Sequence, residues 1–104
     1  MKFYLLIALT MLTTPMFAHA DDDPMLKVAQ ENACMTCHAV DQKIIGPSFR
    51  TIAARFRNNP DAANYLFTRL QDGSVGDWGQ IPMPPNPQAN PADLHRLVQW
   101  VLAQ

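Results

Sequence analysis

Apolar residues recur at spacings of three and four along four stretches of the chain, and each stretch opens on a helix-capping signal. The first begins at Asp23-Pro24, a cap followed by proline at the first helical position, and carries Leu26, Ala29 and Ala33. This pattern predicts a helix that runs on into Cys34. The second follows Gly46-Pro47-Ser48, with Ser48 as its cap and Phe49, Ile52, Ala53 and Phe56 on one face. The third starts at Asn59-Pro60-Asp61, repeats the stripe at Ala63, Leu66, Phe67 and Leu70, and stops at Gly73. The fourth starts at Asn90-Pro91, with Asp93 in the first turn, where the helix dipole favours an anion. Its buried face is Leu94, Leu97, Val98 and Val101. No stretch alternates as a half-buried strand does. The expected fold class is all-α, with about four short helices.

Between the third and fourth stretches lies a loop with Pro82, Pro84, Pro85 and Pro87. Each proline fixes φ and removes a backbone donor, so neither a helix nor a sheet ladder is expected there. The loop is stiff, and it carries Met83.

Residues 1–20 read as a secretory signal peptide. Lys2 is a minimal charged start, Phe3 to Leu12 is apolar, and Ala18-His19-Ala20 is a small-x-small cleavage site. The apolar run is shorter than the ~20 residues that a bilayer-spanning helix needs. Cleavage after Ala20 leaves residues 21–104 as a single domain and discards His19. A domain of that size buries a small fraction of its surface and needs a staple beyond its own side chains. The whole chain has eight Lys and Arg against nine Asp and Glu. With no basic stripe, nucleic acid is excluded as a partner. So mild an acidity leaves recognition to a local patch rather than to long-range steering.

The chemistry enters at Cys34-Met35-Thr36-Cys37-His38, which holds both cysteines of the chain. C-x-x-C-H is the attachment pattern of c-type haem. Two thiols one turn apart can add across two vinyl groups on one edge of a porphyrin. The next residue, His38, then lies beneath the ring, where an imidazole nitrogen binds iron. A thioredoxin-like dithiol would sit on a βαβ pattern, which is missing here. A structural zinc site needs four ligands, and His95 is the one distant candidate left. A Cys34–Cys37 disulfide would close too short a loop to constrain the unfolded chain much. Haem also answers the size problem, because a large flat apolar body gives short helices something to pack around.

Six-coordinate iron needs a second ligand opposite His38, and Met25, Met35, Met83 and His95 are the candidates. Met35 lies within the attachment turn, Met25 is placed to pack in the first helix, and His95 has solvent-facing neighbours. Met83 remains, in a stiffened loop with two helices of intervening chain to wrap round the ring. Met/His ligation raises the potential and closes both axial positions. That argues against oxygen binding and peroxide chemistry.

Taken together, the C-x-x-C-H run, Gly46-Pro47, the block Trp78-Gly79-Gln80-Ile81-Pro82-Met83-Pro84-Pro85-Asn86 and a last helix containing Trp100 resemble the bacterial class I monohaem cytochromes c of the short c-551 type. The resemblance covers essentially all of residues 21–104. It implies the class I cytochrome c fold around one haem c, with thioethers at Cys34 and Cys37 and axial ligands at His38 and Met83. It further implies that the Pro47 carbonyl accepts from the other ring nitrogen of His38 and that the Asn86 side chain donates to the methionine sulfur. Arg69 and Trp78 match positions that contact a haem propionate. Tyr65, four residues before Arg69 on the same helix face, is placed to pack along its guanidinium. The chain departs from the family pattern in Pro87, which adds stiffness, and in basic residues that are mostly arginine (Arg50, Arg55, Arg57).

The expected function is a periplasmic, monomeric electron carrier, not an enzyme, working between respiratory donors and a terminal reductase or oxidase. The resemblance suggests cytochrome cd-type nitrite reductase, cytochrome oxidase or cytochrome c peroxidase as partners. Electrons would pass at the thioether edge, within an apolar patch of Met35, Ile44, Ile45, Pro82, Pro84 and Pro85 rimmed by arginines. The alternatives are a haem sensor in which Met83 dissociates to admit a small ligand, and a subunit of a larger complex.

Overall fold

The structure is a computed structural model, and it describes residues 14–15 and 23–104; the predicted signal peptide falls almost wholly outside the described residues. Among the described residues four α-helices follow in order: α1 (Pro24–Glu31), α2 (Phe49–Arg55), α3 (Ala62–Asp72) and α4 (Pro91–Leu102). A single 3-10 turn, Cys34–Thr36, lies between α1 and α2.

The caps act as their side chains dictate. Asp23 Oδ1 accepts from Met25 N at 2.9 Å, Ser48 Oγ from Thr51 N at 3.0 Å and Asn90 Oδ1 from Ala92 N at 2.9 Å. Each satisfies a donor that the first helical turn leaves without a partner. The predicted boundaries shift at two places. α1 ends at Glu31, because Ala33 takes a left-handed φ of 59° and turns the chain into the separate 3-10 turn. α3 begins at Ala62 rather than at Pro60, because Asn59 Oδ1 bonds Asp61 N at 2.9 Å and makes a local turn ahead of the helix.

α4 is the organising element. It packs against α1, α2 and α3, whereas the backbones of those three helices do not pack on one another. Leu94, Leu97, Val98 and Val101 of α4 are buried as the periodicity predicted. Trp100, Cys34 and Met35 bridge two apolar clusters, one around Ala29, Leu94 and Leu97 and the other around Phe49, Ile52 and Val101. Met35, expected in the surface patch, is partly buried and packs against both clusters. The indole of Trp100 meets Phe49 edge-on at 5.4 Å and donates from Nε1 to Asp23 Oδ2 at 2.8 Å, which ties the last helix to the first cap. The stripes of α2 and α3 that do not reach α4 face a cavity between them.

Candidate functional site

The cavity has a volume of about 200 Å³. Both cysteines, His38, Met83, Pro47, Arg69, Trp78 and Asn86 line it, so every residue expected to touch a cofactor converges on one space. The remaining wall is mainly apolar, with Phe49, Ile52, Leu66, Leu70, Leu97, Val98 and Val101. His95 and Met25 are not on the wall. His95 is exposed and lies flat against Phe67, with ring centroids 3.8 Å apart. That agrees with its reading as a surface residue.

His38 is held by its loop. Gly46 N and Ile45 N donate to Cys37 O at 2.8 and 3.2 Å, folding the segment after the motif back beneath the imidazole. This carries the Pro47 carbonyl to 2.7 Å from His38 Nδ1. With Nδ1 donating to Pro47, Nε2 is the nitrogen left to bind a metal, and the bond raises its basicity. Phe49 stacks on the imidazole at 5.4 Å. The close packing has a requirement that the spacing of residues did not reveal. A Cβ on Gly46 would lie 2.6 Å from His38 Cε1 and 3.0 Å from Nδ1, so glycine is what lets the ring sit where it does.

Met83 reaches the same cavity on the proline-rich loop. Neither a helix nor a ladder was expected there, yet one antiparallel bridge forms. Met83 N donates to Ser74 O at 2.7 Å and Ser74 N donates to Met83 O at 3.0 Å. The bridge uses Met83 because it keeps an N–H between two prolines that have none. A second tie follows, from Asn86 N to Leu70 O at 2.8 Å. The Asn86 side chain oxygen accepts from Gln88 Nε2 at 3.4 Å, which leaves its amide N–H groups for the cavity.

Polar groups gather on the cavity wall at Arg69, Tyr65, Ser74, Asp77 and Trp78. Arg69 Cζ lies 5.3 Å from the centroid of the Tyr65 ring, the packing expected from their spacing. Arg69 Nε is buried and has no hydrogen-bond partner within the chain. A buried donor without a partner costs free energy on the order of 1–3 kcal/mol, so a group in the cavity is needed to accept from it. A haem carboxylate fits that need, and the flat apolar walls fit the porphyrin. Arg69 does not pair with Asp72: the ion pairs among the described residues are Lys27–Glu31, Arg50–Asp41 and Arg96–Asp93.

The cysteines are free, and burial pushes the Cys34 thiol up. A buried thiol without a nearby cation suits a covalent anchor better than a redox-active thiolate. No group of three or more His, Cys, Asp or Glu side chains placed to hold a metal occurs among the described residues.

Four helices around an apolar cleft with C-x-x-C-H on its wall define a small haem-binding class I fold. The comparisons agree, and the chain belongs to the cytochrome c family, whose profile matches residues 26–104. It is 44% identical to cytochrome c-552 of Nitrosomonas europaea over 86 residues, covering 83% of this chain and 80% of that protein. It is 38% identical to cytochrome c-551 of Pseudomonas aeruginosa, covering 100% of this chain and 99% of that one. The crystal structure of the Nitrosomonas europaea cytochrome c552 superposes with a TM-score of 0.72 over 75% of this chain and 96% of its own. The cofactor is haem c, covalent through Cys34 and Cys37, and the protein is an electron carrier rather than an enzyme.

Proposed function

We propose that this protein is exported to the periplasm and carries single electrons between redox proteins, with His38 and Met83 as the two axial ligands of its haem. The observation that carries this reading is that His38 and Met83 line the same cavity while Nδ1 of the imidazole is already bonded to Pro47, which leaves Nε2 as its free nitrogen. Haem c supplies the iron that alternates between its ferric and ferrous states. The chain keeps the ligands where they are. Pro47 fixes the imidazole, the Ser74–Met83 bridge and the Asn86–Leu70 bond fix the loop, and apolar side chains exclude water. A double anchor on the loop disfavours the sensor reading, which needs Met83 to leave. Export rests on the twenty-residue leader described above.

Ile44, Ile45 and Ile81 are 49%, 46% and 69% exposed, and Pro82, Pro84 and Pro85, which follow Ile81 in the chain, are exposed as well. These residues support a small apolar contact surface for brief redox encounters. Cytochrome cd-type nitrite reductase, a cytochrome oxidase and a cytochrome c peroxidase remain the partner classes proposed for it. The test is optical, on protein recovered from the periplasmic fraction. A sulfur-to-iron charge-transfer band in the oxidised protein, with no spectral change when the reduced form meets carbon monoxide, is the expected result. Absence of the band, or rapid uptake of carbon monoxide, overturns the Met83 assignment.

A further inference from the structure

Asp77 carries no role in any reading of the sequence, yet three elements meet on it. Tyr65 Oη of α3 donates to Asp77 Oδ2, and Ser74 Oγ donates to the same oxygen at 3.2 Å. Arg55 Nη1, at the end of α2, donates to the Asp77 carbonyl oxygen at 2.8 Å. The Arg55 guanidinium also lies 4.3 Å from the centroid of the Trp78 ring. Both side chains matched to a haem propionate are thus reached from this one residue. Trp78 is its neighbour in the chain, and Arg69 rests on the ring of Tyr65.

We propose that Asp77 is a positioning residue for the carboxylate edge of the haem, fixing Trp78 directly and Arg69 through Tyr65. The proposal rests on the haem reading above and deepens it. A carboxylate only accepts, so both hydroxyls that point at Asp77 spend their protons there. Neither then competes with Arg69 as a donor to the cavity. A guanidinium on a flexible stem is held by the face of an aromatic ring only if the ring itself stays in place. The bond from Tyr65 to Asp77, with the Phe56 ring centroid 5.5 Å from that of Tyr65, supplies that constraint. The phenol is displaced upward from its ordinary range mainly by this bond, and the Asp77 carboxyl downward by the same bond, so both groups report one interaction. Arg55 and Arg69 are the cations facing the pair.

The experiment compares the reduction potential as a function of pH in the holoprotein and in Asp77→Ala, Tyr65→Phe and Asp77→Asn. A cation held beside a carboxyl lowers the carboxyl's pKa by one unit or more. Positioning therefore predicts that Asp77→Ala and Tyr65→Phe move the inflection of the profile up by about one pH unit. Asp77→Asn keeps an oxygen to accept the phenol proton and leaves the inflection no higher than in the unaltered protein. Had Asp77 acted by its charge alone, removing a negative charge would move the inflection down in both Asp77 variants. An inflection in Asp77→Ala that stays put or moves down overturns the proposal, even if the melting temperature falls. The optical band of the unaltered protein judges the axial pair separately, so loss of that reading and loss of this one are told apart.

Discussion

The carbonyl oxygen of Met83 occupies the space that a side chain on Gly73 would need: a Cβ there falls 2.8 Å from that oxygen and 3.2 Å from Pro85 Cδ. Gly73 also ends α3 at φ 81° and ψ 175°, a region that essentially excludes every other residue. Stopping the helix and seating the ligand loop are one event. Gly73→Ala is expected to destabilise the protein by about 1–3 kcal/mol. It should also weaken the sulfur-to-iron band, because the loop has to back away from α3. Met83→Ala should abolish the band, lower the potential and admit carbon monoxide. Chemical denaturation with parallel absorption spectra checks both variants, and an intact band with full stability in Gly73→Ala would contradict the coupling.

Gly46 stands to His38 as Gly73 stands to Met83. In Gly46→Ala the new methyl displaces either the imidazole or the segment that presents the Pro47 carbonyl. Either movement stretches the 2.7 Å contact at Nδ1 and makes the ligand less basic. A less basic imidazole stabilises ferric iron less, so the potential should rise. Voltammetry decides the matter, and an unchanged or lower potential would show that the contact does not tune the iron.

Much of this was legible in the chain, for reasons that differ by element. The caps at Asp23, Ser48 and Asn90 sit directly before apolar stripes, so local chemistry and burial agree there. Convergence of Cys34, Cys37, His38 and Met83 on one cavity followed from the motif and the proline loop. What escaped reading depends on approach rather than pattern. The needs of Gly46 and Gly73 arise from atoms 8 and 10 residues away in sequence, at His38 and Met83. The Ser74–Met83 bridge exists because a single N–H survives between prolines. Met35 looked like a surface residue because its place inside the motif hides that it also packs against both apolar clusters.

Asp23 joins two jobs that pH can separate. Its carboxyl is held below the usual value of 3.8, chiefly by the Met25 backbone N–H and then by the Trp100 indole. A carboxyl depressed in the folded state contributes stability above its unfolded value, and that contribution is lost as pH falls through the folded one. The melting temperature should therefore drop as the pH is taken below about 4, and the gap between the protein and Asp23→Asn should narrow as it does. A gap of constant size across that range, measured by thermal unfolding at stepped pH, would assign the effect to packing of Trp100 alone.

The sparse contacts among α1, α2 and α3 set the strongest dependence in the molecule. α4 touches each of them, but the faces that α2 and α3 turn toward each other are separated by the cavity. Side chains such as Leu66, Leu70 and Ile52 gain stability by leaving water, and without a body in the cavity they face one another across a gap. Cys37→Ala removes one of the two covalent anchors, so attachment should fail in most molecules. The chain left without haem should lose most of its helical circular dichroism and expand in gel filtration. A compact, helical protein of unchanged elution volume, free of haem, would mean that the four helices carry their own core.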